Sequence, residues 1–336
     1  MLPVVSVIIP AFNSGKHVSQ TIESLLTQTC TDWEAIIVDD GSTDNTAAIV
    51  SQFSAKDKRI KLIRQHNHGS PIAKNKGIQA ASGKYIQFLD SDDLLSPDKI
   101  ANQVAILENQ KESIVWCSTR KFIDPSEIES DQTVLIEDHQ LRNIIDPIEF
   151  ILVLNGVNGR IGMVQPNAYM FEKGLLEKSG LWAESLRRSP DDDSEFFTRV
   201  ILNSRGVIYD PKSLNFYRQP SVGSLSQKKS SEAAFGALQT VLLKFGEIKR
   251  WVDQKEVNTL FANHLSLCAY QYGQNHPELV DSVEREIIKI GFARILPVGG
   301  KYFSVVAKII SFKNALRLKR AFGKQRREAI ESKFTL

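Results

Sequence analysis

Ten residues decide the fold of this chain: Lys84-Tyr85-Ile86-Gln87-Phe88-Leu89-Asp90-Ser91-Asp92-Asp93. The apolar run from Tyr85 to Leu89 is typical of a buried strand, and three carboxylates follow it within four residues. Successive side chains alternate across a strand, so Asp90 and Asp92 would point the same way if the backbone stayed extended. Two carboxylates at the carboxyl end of a strand suit a hard divalent cation that also holds phosphate oxygens. The alternative is an acidic turn that caps the next helix, because Asp is common at turns and N-caps.

Strands and helices alternate through the N-terminal third of the chain. Short apolar or β-branched runs predict the strands Val4–Ile9, Trp33–Val38, Ile60–Ile63, Tyr85–Leu89 and Ile114–Ser118. Helical spacing of apolar residues predicts helices at Lys16–Thr29, from the cap Asp44 through Phe53, at Gly69–Ala81 and at Pro97–Gln110. This order predicts an α/β fold, with a mostly parallel sheet covered by helices on both faces. Gly83 is expected to end the third helix in a left-handed conformation.

Three polar loops follow strands of this predicted sheet. They are the loop after Ile9, the acidic pair after Val38 and the acidic triplet after Leu89. Ligands of parallel sheets bind beyond the carboxyl ends of the strands, where these loops would meet. The convergence predicts a nucleotide site, and three unrelated turns are the alternative.

The rest of the chain is irregular at first and then helical. Further strands are predicted at Val164–Phe171, Val207–Asp210 and Leu214–Tyr217, and helices beyond Ser230 at 232–252, 254–272, 277–290 and 304–322. An acidic cluster, Asp191-Asp192-Asp193-Ser194-Glu195, directly precedes a helical run that begins with Phe196. Carboxylates are favoured at a helix N-terminus, so helix capping alone could explain this cluster.

Composition narrows the class of protein. The hydrophobic fraction of 42% and the charged fraction of 24% are those of a globular protein, and 336 residues exceed one typical domain. Cys30, Cys117 and Cys268 are too widely spaced for a disulfide framework or a metal cluster, and they fit a reducing compartment. We expect neither a secretory signal nor a transmembrane helix, because Met1 leads directly into a strand and every apolar run is short.

Charge is distributed unevenly. Residues 301–336 contain ten Lys or Arg and two Glu, a net charge of +8, whereas the other 300 residues carry 32 basic and 37 acidic groups, or −5. An acidic body with a basic tail indicates an anionic surface as partner of the tail, and not a nucleic-acid-binding core. Phe303, Val306, Ile310 and Leu316 lie at roughly helical spacing among the cations, which predicts a basic amphipathic helix that lies on an anionic bilayer. The alternative is a helix that packs on the rest of the protein with its charges solvated.

Four motifs follow one another in an order and at a spacing that resemble a known family. They are Val5-Ser6-Val7-Ile8-Ile9-Pro10-Ala11-Phe12-Asn13, Ile37-Val38-Asp39-Asp40-Gly41-Ser42-Thr43-Asp44, Ala73-Lys74-Asn75-Lys76-Gly77 and Tyr85-Ile86-Gln87-Phe88-Leu89-Asp90-Ser91-Asp92-Asp93. With them the chain resembles the family 2 glycosyltransferases over roughly residues 3–225. The resemblance implies the GT-A fold, which is Rossmann-like, and inverting transfer from a nucleotide sugar. It also implies a catalytic domain at 1–227, with a nucleotide-sugar-binding half at 1–118 and an acceptor-binding half at 119–227, before a helical region at 228–336.

The resemblance assigns the nucleoside and diphosphate contacts. Pro10 and Phe12 would line the nucleoside pocket, with Phe12 on the face of the base or, alternatively, packed in the core. Asp40 would accept a hydrogen bond from the base. Lys74 stands near the diphosphate where the family usually has Arg, and it keeps the charge but lacks the bidentate fork.

The resemblance also assigns the metal ligands. Asp90-Ser91-Asp92 matches the Asp-x-Asp motif of the family, which implies manganese or magnesium as cofactor. Asp92 would bind the metal directly, Asp90 would reach the ribose or a metal-bound water, and Ser91 lies between them. Asp93 would be structural.

The catalytic base is assigned by alignment on Phe196, Phe197 and Arg199. This alignment places the base on Asp193 and puts Asp192 where the family usually has Glu, with a shift by one residue as the alternative. The family often has a His after the closing strand. Gln219-Pro220-Ser221-Val222-Gly223-Ser224 lacks it, so Arg218 or Ser224 would take its place.

The expected function is metal-dependent inverting transfer of a sugar, from a UDP-sugar donor to a hydroxyl of a glycan or lipid-linked acceptor. The expected setting is polysaccharide biosynthesis for the cell envelope, in the cytoplasm and on the inner face of the plasma membrane. A nucleotide-sugar-binding module without activity is the alternative from outside catalysis. A sugar nucleotidyltransferase would need a Gly-rich phosphate loop after the first strand, and a dehydrogenase would need Gly-x-Gly-x-x-Gly there. The chain has Pro10-Ala11-Phe12-Asn13 at that position.

Overall fold

The computed structural model describes residues 2–130, 133–136, 139–219 and 230–331. These residues form two compact units, one of residues 2–187 and 192–219 and the other of residues 188–191 and 230–331. The first unit contains the sheet, and the second contains helices without a strand in its described part. The predicted boundary between residues 227 and 228 lies outside the described residues.

The strands of the first unit follow the predicted apolar runs closely in its N-terminal half. They are β1 Val5–Ala11, β2 Trp33–Asp39, β3 Ile60–Arg64, β4 Tyr85–Phe88, β5 Leu94–Leu95, β6 Ile114–Phe122, β7 Val134–Ile136, β8 Met170–Glu172 and β9 Val207–Arg218. Every residue of β2 and of β4 is buried, as expected of strands that carry helices on both faces.

Eight α-helices of the first unit lie between these strands. They are α1 Val18–Leu26, α2 Thr46–Lys56, α3 Ser70–Ala80, α4 Lys99–Asn109, α5 Ser126–Glu129, α6 Pro147–Leu154, α7 Leu175–Ser179 and α8 Asp192–Leu202. Apolar residues of β1, β2, α1 and α4 share one core that includes Val7, Ile37, Ile22 and Ile100. The α/β alternation predicted from the sequence is therefore present.

The sheet is parallel on one side and mixed on the other. Its order is β3-β2-β1-β4-β8-β6-β9-β5, and β7 pairs with β6. The pairs among β1 to β4 are parallel, as is β6 with β9, whereas β8 runs antiparallel to both β4 and β6. Because β1, β2 and β4 run the same way, the loops that follow them lie at one edge of the sheet.

The following two local predictions differ from the structure. The two predicted closing strands are one strand, β9, whose pairing with β6 shifts register between Cys117 and Ser118. Gly83 does not have a positive φ. A Cβ atom there would lie 2.6 Å from the backbone nitrogen of Ser6, so glycine is needed for close approach to β1 and not for a left-handed turn.

A buried lysine lies beneath the sheet. The ammonium of Lys99 is fully enclosed and donates to Gln87 Oε1 at 2.5 Å and to Gln103 Oε1 at 2.7 Å. Burial lowers the pKa of Lys99 from 10.5 to about 8, although Cys117 and Asp210 oppose the change.

This lysine makes stability depend on pH. Between about pH 8 and pH 10.5 the unfolded chain holds the proton and the folded chain does not, so stability rises with pH. Relative to Lys99→Met, the wild type should gain up to about 1.4 kcal/mol of unfolding free energy per pH unit in this window. Urea denaturation of both proteins at several pH values measures the difference. Parallel pH profiles would contradict the assignment.

The second unit contains five helices: α9 Ser231–Ile248, α10 Gln254–Tyr272, α11 Pro277–Lys289, α12 Lys301–Ile310 and α13 Phe312–Glu331. Phe245 of α9 and Phe261 of α10 stack with ring centroids 5.0 Å apart. The single helix predicted at 304–322 is two helices, because the chain turns at Ser311, whose φ is 76°. No helix in the described part of the chain combines the length and the apolar character that crossing a membrane requires.

Candidate active site

The loops after β1, β2 and β4 are joined by hydrogen bonds. The amide of Asn13 donates to Ser42 Oγ at 2.9 Å, and the amide of Thr43 donates to Asn13 Oδ1 at 2.8 Å. The hydroxyls of Ser14 and Ser91 are 2.6 Å apart. The structure thus brings together the three loops that the strand pattern placed at one edge.

The four residues Asp90 to Asp93 divide into two pairs of different character. Asp93 is fully buried and accepts from Asn167 Nδ2 at 2.6 Å and from the amide of Arg218 at 2.7 Å. Ser91 is buried against the first loop through its hydroxyl contact. Asp90 and Asp92 are partly exposed, and no other residue in the described ranges donates a hydrogen bond to either carboxylate. Asp93 therefore has a structural role, whereas Asp90 and Asp92 have carboxylates available to a ligand.

The environment of Asp90 and Asp92 disfavours their charged forms. Burial raises the pKa of Asp90 to about 7, with Lys74 opposing the change and Asp193 and Asp92 adding to it. Burial also raises the pKa of Asp92, while its own amide and Arg218 oppose the rise. Partly buried carboxylates that lie close to one another are stabilised by a bound cation.

Lys74 of α3 connects the acids of α8 with the rest of the site. Its ammonium is buried, 2.7 Å from Asp193 Oδ1 and 3.2 Å from Asp192 Oδ2. It also lies 3.7 Å from the ring centroid of Trp182. Burial alone would lower the pKa of Lys74, but attraction to Asp192, Asp193 and Asp90 raises it above its ordinary value. The charged lysine thus lies among three carboxylates from two separate parts of the chain.

The position of α8 is fixed by aromatic stacking and by an arginine. Phe196 stacks on Trp182 with ring centroids 4.0 Å apart and planes inclined by 6°. Asn75, next to Lys74 in α3, accepts from the amide of Trp182 at 2.9 Å and donates to its carbonyl at 3.0 Å. Arg199 donates to the carbonyl of Leu181 at 2.8 Å, and it forms an ion pair with Glu195, one helical turn earlier. These contacts hold the start of α8, and with it Asp193, against α3.

The residues assigned to the nucleoside lie on the first two loops. Phe12 is 47% exposed, which excludes core packing for this ring. Asp40 is buried and accepts from Gln65 Nε2 at 2.8 Å and from the amides of His68 at 2.9 Å and Gly69 at 2.8 Å. A carboxylate has about four acceptor positions, so these three bonds leave capacity for one further donor. Pro10 is partly buried near the end of β1.

Arg218 acts on the backbone of the acidic loop. Its Nε donates to the carbonyl of Asp92 at 2.8 Å, and its two terminal nitrogens donate to the carbonyl of Ile123 at 3.0 Å and to Gln20 Oε1 at 2.7 Å. The guanidinium also lies 4.3 Å from the ring centroid of Phe122. Arg218 therefore positions Asp92 through protein contacts. Ser224, the other residue considered at this position, lies outside the described residues.

Comparison with protein families identifies the domain. Residues 6–161 match the model of "Glycosyl transferase family 2". The chain contains a family 2 glycosyltransferase domain. The matched residues include the loops after β1, β2 and β4 and the Asp90-Ser91-Asp92 motif. The prediction of a glycosyltransferase of this family is confirmed.

Relatives of this glycosyltransferase have names that agree with the family. It is 27% identical over 271 residues to EpsH of Bacillus subtilis, a protein that is named as a glycosyltransferase. The matched residues make up 79% of this chain and 76% of EpsH. It is 40% identical over 125 residues to the chondroitin synthase of Escherichia coli. That match covers 37% of this chain and 18% of the synthase, so the glycosyltransferase shares only a segment with it.

Solved structures confirm the fold of the glycosyltransferase. The structure of S. aureus TarS 1–349 in complex with UDP-GlcNAc matches with a TM-score of 0.68 and 16% sequence identity. The match covers 96% of this chain and 91% of that one. At this identity the likeness concerns the fold alone, and it confirms the predicted α/β class with helices beyond the sheet.

The donor atoms at the acidic edge fit a divalent cation. Asp90 and Asp92 offer only oxygen ligands, which magnesium and manganese prefer. No three His, Cys, Asp or Glu side chains within the described ranges are grouped closely enough to hold a metal by themselves. Magnesium is usually held by one or two carboxylates together with the phosphates of a substrate.

Sequence reasoning missed the role of Trp182 and the pairing of Lys74 with the acids of α8. Trp182 precedes α8 in an irregular segment, where no periodicity marks it. The ion pair joins residues 119 positions apart, so no local pattern announces it. One indication was present in the sequence. A lysine in a predicted buried helix needs acidic partners, and the acids before α8 were the candidates for pairing with Lys74.

Lys74→Met is expected to lower the unfolding free energy by about 3 kcal/mol, because Asp192 and Asp193 lose the cation that compensates them. Lys74→Arg should recover most of this loss, because the guanidinium keeps the charge. Urea denaturation measures both variants. Lys76→Met, on the same helix, is the matched control and should change stability by less than about 0.5 kcal/mol. Equal effects of the two Met variants would show that the ion pair contributes nothing.

Proposed function

We propose that this glycosyltransferase is a metal-dependent inverting enzyme. It transfers a sugar from a UDP-sugar to a hydroxyl of a glycan or lipid-linked acceptor. The observation that carries the proposal is the presence of two separate carboxylate groups, Asp90 with Asp92 after β4 and Asp193 with Asp192 at the start of α8. The charge of Lys74 acts on members of both groups. Inverting transfer needs acids for the metal and a different acid for the base.

The donor would occupy the edge formed by the three loops. Phe12, which is exposed, would stack on the base, next to Pro10. Asp40 would accept a hydrogen bond from the base with its remaining acceptor position. Asp92 would hold a manganese or magnesium ion directly, and Asp90 would reach the ribose or a metal-bound water. When bound, this ion supplies charge stabilisation for the departing diphosphate.

Asp193 would act as the general base. Lys74 holds Oδ1 of Asp193 at 2.7 Å, which orients the carboxylate and leaves its other oxygen for the acceptor. Asp193 takes the proton of the acceptor hydroxyl while the hydroxyl oxygen bonds to the anomeric carbon. The bond from that carbon to the diphosphate oxygen breaks on the opposite face, so the configuration inverts. Lys74 also supplies a positive charge near the departing diphosphate.

The partners and location are proposed from the chemistry and from the names of relatives. A relative named for chondroitin synthesis supports a role in polysaccharide biosynthesis. We also propose a place in the cytoplasm, at the inner face of the plasma membrane, where the basic C-terminal segment would make peripheral contact with anionic lipid.

A screen of nucleotide sugars tests the proposal. The purified chain is incubated with each sugar and with manganese, magnesium or a chelator, and release of nucleoside diphosphate is measured. We expect hydrolysis of at least one UDP-sugar that stops when the metal is removed. Tight binding without turnover, also after acceptors are added, would favour an inactive binding module. Release of pyrophosphate from UTP and a sugar phosphate would favour a nucleotidyltransferase.

A further inference from the structure

Helix α12 has apolar side chains on two neighbouring sides, about 100° apart around the helix axis. The predicted stripe of Phe303, Val306, Ile310 and Leu316 faces the protein: Leu316 is buried, and the other three are half-buried. The ring of Phe303 lies 4.8 Å from that of Tyr270 and 5.3 Å from that of Phe312, measured between centroids. This stripe packs within the second unit, so it is not the surface that a bilayer could contact.

The neighbouring side of α12 is apolar and exposed. Tyr302 is 89% exposed, Ile309 76% and Val305 52%. Their positions i, i+3 and i+7 place them on one face of the helix. We call these three residues the outer face of α12. Exposed apolar residues in such a group are unusual on a protein surface and mark contact with a partner.

The surroundings of the outer face are positively charged. Lys308 lies on the same helix and is exposed, as are Arg317 and Arg320 on α13. Lys313 contributes less, because it pairs with Asp281 Oδ1 at 2.7 Å and Glu284 Oε2 at 2.5 Å. The sequence from residue 301 onward carries a net charge of +8. A partner must therefore be both apolar and anionic, which opposes a second copy of the same charged face.

We propose that the outer face of α12 inserts into the headgroup region of an anionic lipid bilayer. The proposal deepens the membrane contact proposed above and rests on it, but it assigns the contact to Tyr302, Val305 and Ile309 and not to the predicted stripe. Helices with an apolar face and flanking cations lie in this way in the plane of a bilayer, with tyrosine at the level of the headgroups. Each nearby Lys or Arg adds attraction to anionic lipid.

Vesicle co-sedimentation of the full chain tests the proposal. Vesicles contain phosphatidylcholine alone or a mixture with phosphatidylglycerol. We expect the wild type to bind the mixed vesicles and to bind neutral vesicles much more weakly. The triple variant Tyr302→Ser, Val305→Ser, Ile309→Ser should bind roughly 100-fold more weakly, because three apolar anchors are lost. These side chains are exposed, so the variant should fold normally.

A matched triple variant controls for the loss of apolar surface in general. It replaces three exposed residues of the first unit, Ile123, Val134 and Ile145, with serine, and it should bind as the wild type does. Unchanged binding by the α12 variant, or no binding by the wild type, would overturn the proposal. Equal binding of the wild type to neutral and to mixed vesicles would also overturn it. The same holds if the wild type is a dimer in solution and the triple substitution in α12 makes it a monomer. Hydrolysis of a soluble UDP-sugar by the α12 variant separates failure of this proposal from failure of the proposed reaction.

Discussion

Asp193→Asn is expected to lower the rate of sugar transfer by about 10²–10⁴-fold, the usual contribution of a general base. The amide has the same shape as the carboxylate but cannot take the proton from the acceptor hydroxyl. Donor binding should persist, since Asp193 lies on α8 and the proposed donor contacts other than Lys74 lie on the three loops. Transfer is measured in single turnover with the donor that the screen finds, and donor affinity by titration with UDP and manganese.

Asp192→Asn is the matched control for this experiment. Asp192 also contacts the ammonium of Lys74, at 3.2 Å, so both substitutions disturb the same ion pair. Only the loss of Asp193 should lower transfer by about 100-fold or more, and Asp192→Asn should lower it by less than about tenfold. The reverse order of effects would move the base by one residue. Full activity of both variants would remove the base from this cluster altogether.

Asp92→Asn should abolish the dependence of UDP binding on manganese and lower transfer by about 100-fold or more. An amide oxygen is a weaker ligand for a hard cation than a carboxylate. The fold should be kept, because Arg218 bonds the backbone carbonyl of Asp92 and not its side chain. Calorimetric titration with UDP, with and without manganese, measures the effect.

Two neighbouring acids serve as controls for Asp92. Asp98→Asn changes an exposed acid at the start of α4 and should leave both metal dependence and transfer as they are. Asp93→Asn should instead reduce stability, because Asp93 accepts from Asn167 and from the amide of Arg218 in the interior. Manganese-dependent UDP binding by Asp92→Asn at the wild-type level would place the metal elsewhere.

The N-terminal half of the fold could be predicted because its signals are local. Continuous apolar runs such as Val4–Ile9 and Trp33–Val38 end at polar loops, and parallel strands place those loops at one edge. The antiparallel entry of β8 between β4 and β6 could not be predicted, since a three-residue strand carries no periodicity. The same applies to β9, where a short polar interruption suggested two strands but the pairing with β6 continues past it.

The site could be predicted only where residues follow one another in the sequence. The acids after β4 and before α8 were visible as clusters, but their common partner Lys74 was not, because the contact depends on tertiary packing. For a related reason, the sequence did not show that the apolar stripe of the C-terminal segment is half-buried or buried in the structure. Apolar residues lie on two neighbouring faces of α12, and spacing alone does not show which face packs on the protein.

The bonds between Arg218 and the acidic loop bear on how the protein is made. The amide of Arg218 reaches Asp93, and its guanidinium reaches the carbonyl of Asp92, across 125 and 126 residues of chain. During synthesis, the first four strands can pair while β9 has not yet left the ribosome. The acidic loop then lacks its anchor, so we expect the capacity to hold a donor to be acquired late, after β9 has joined the sheet.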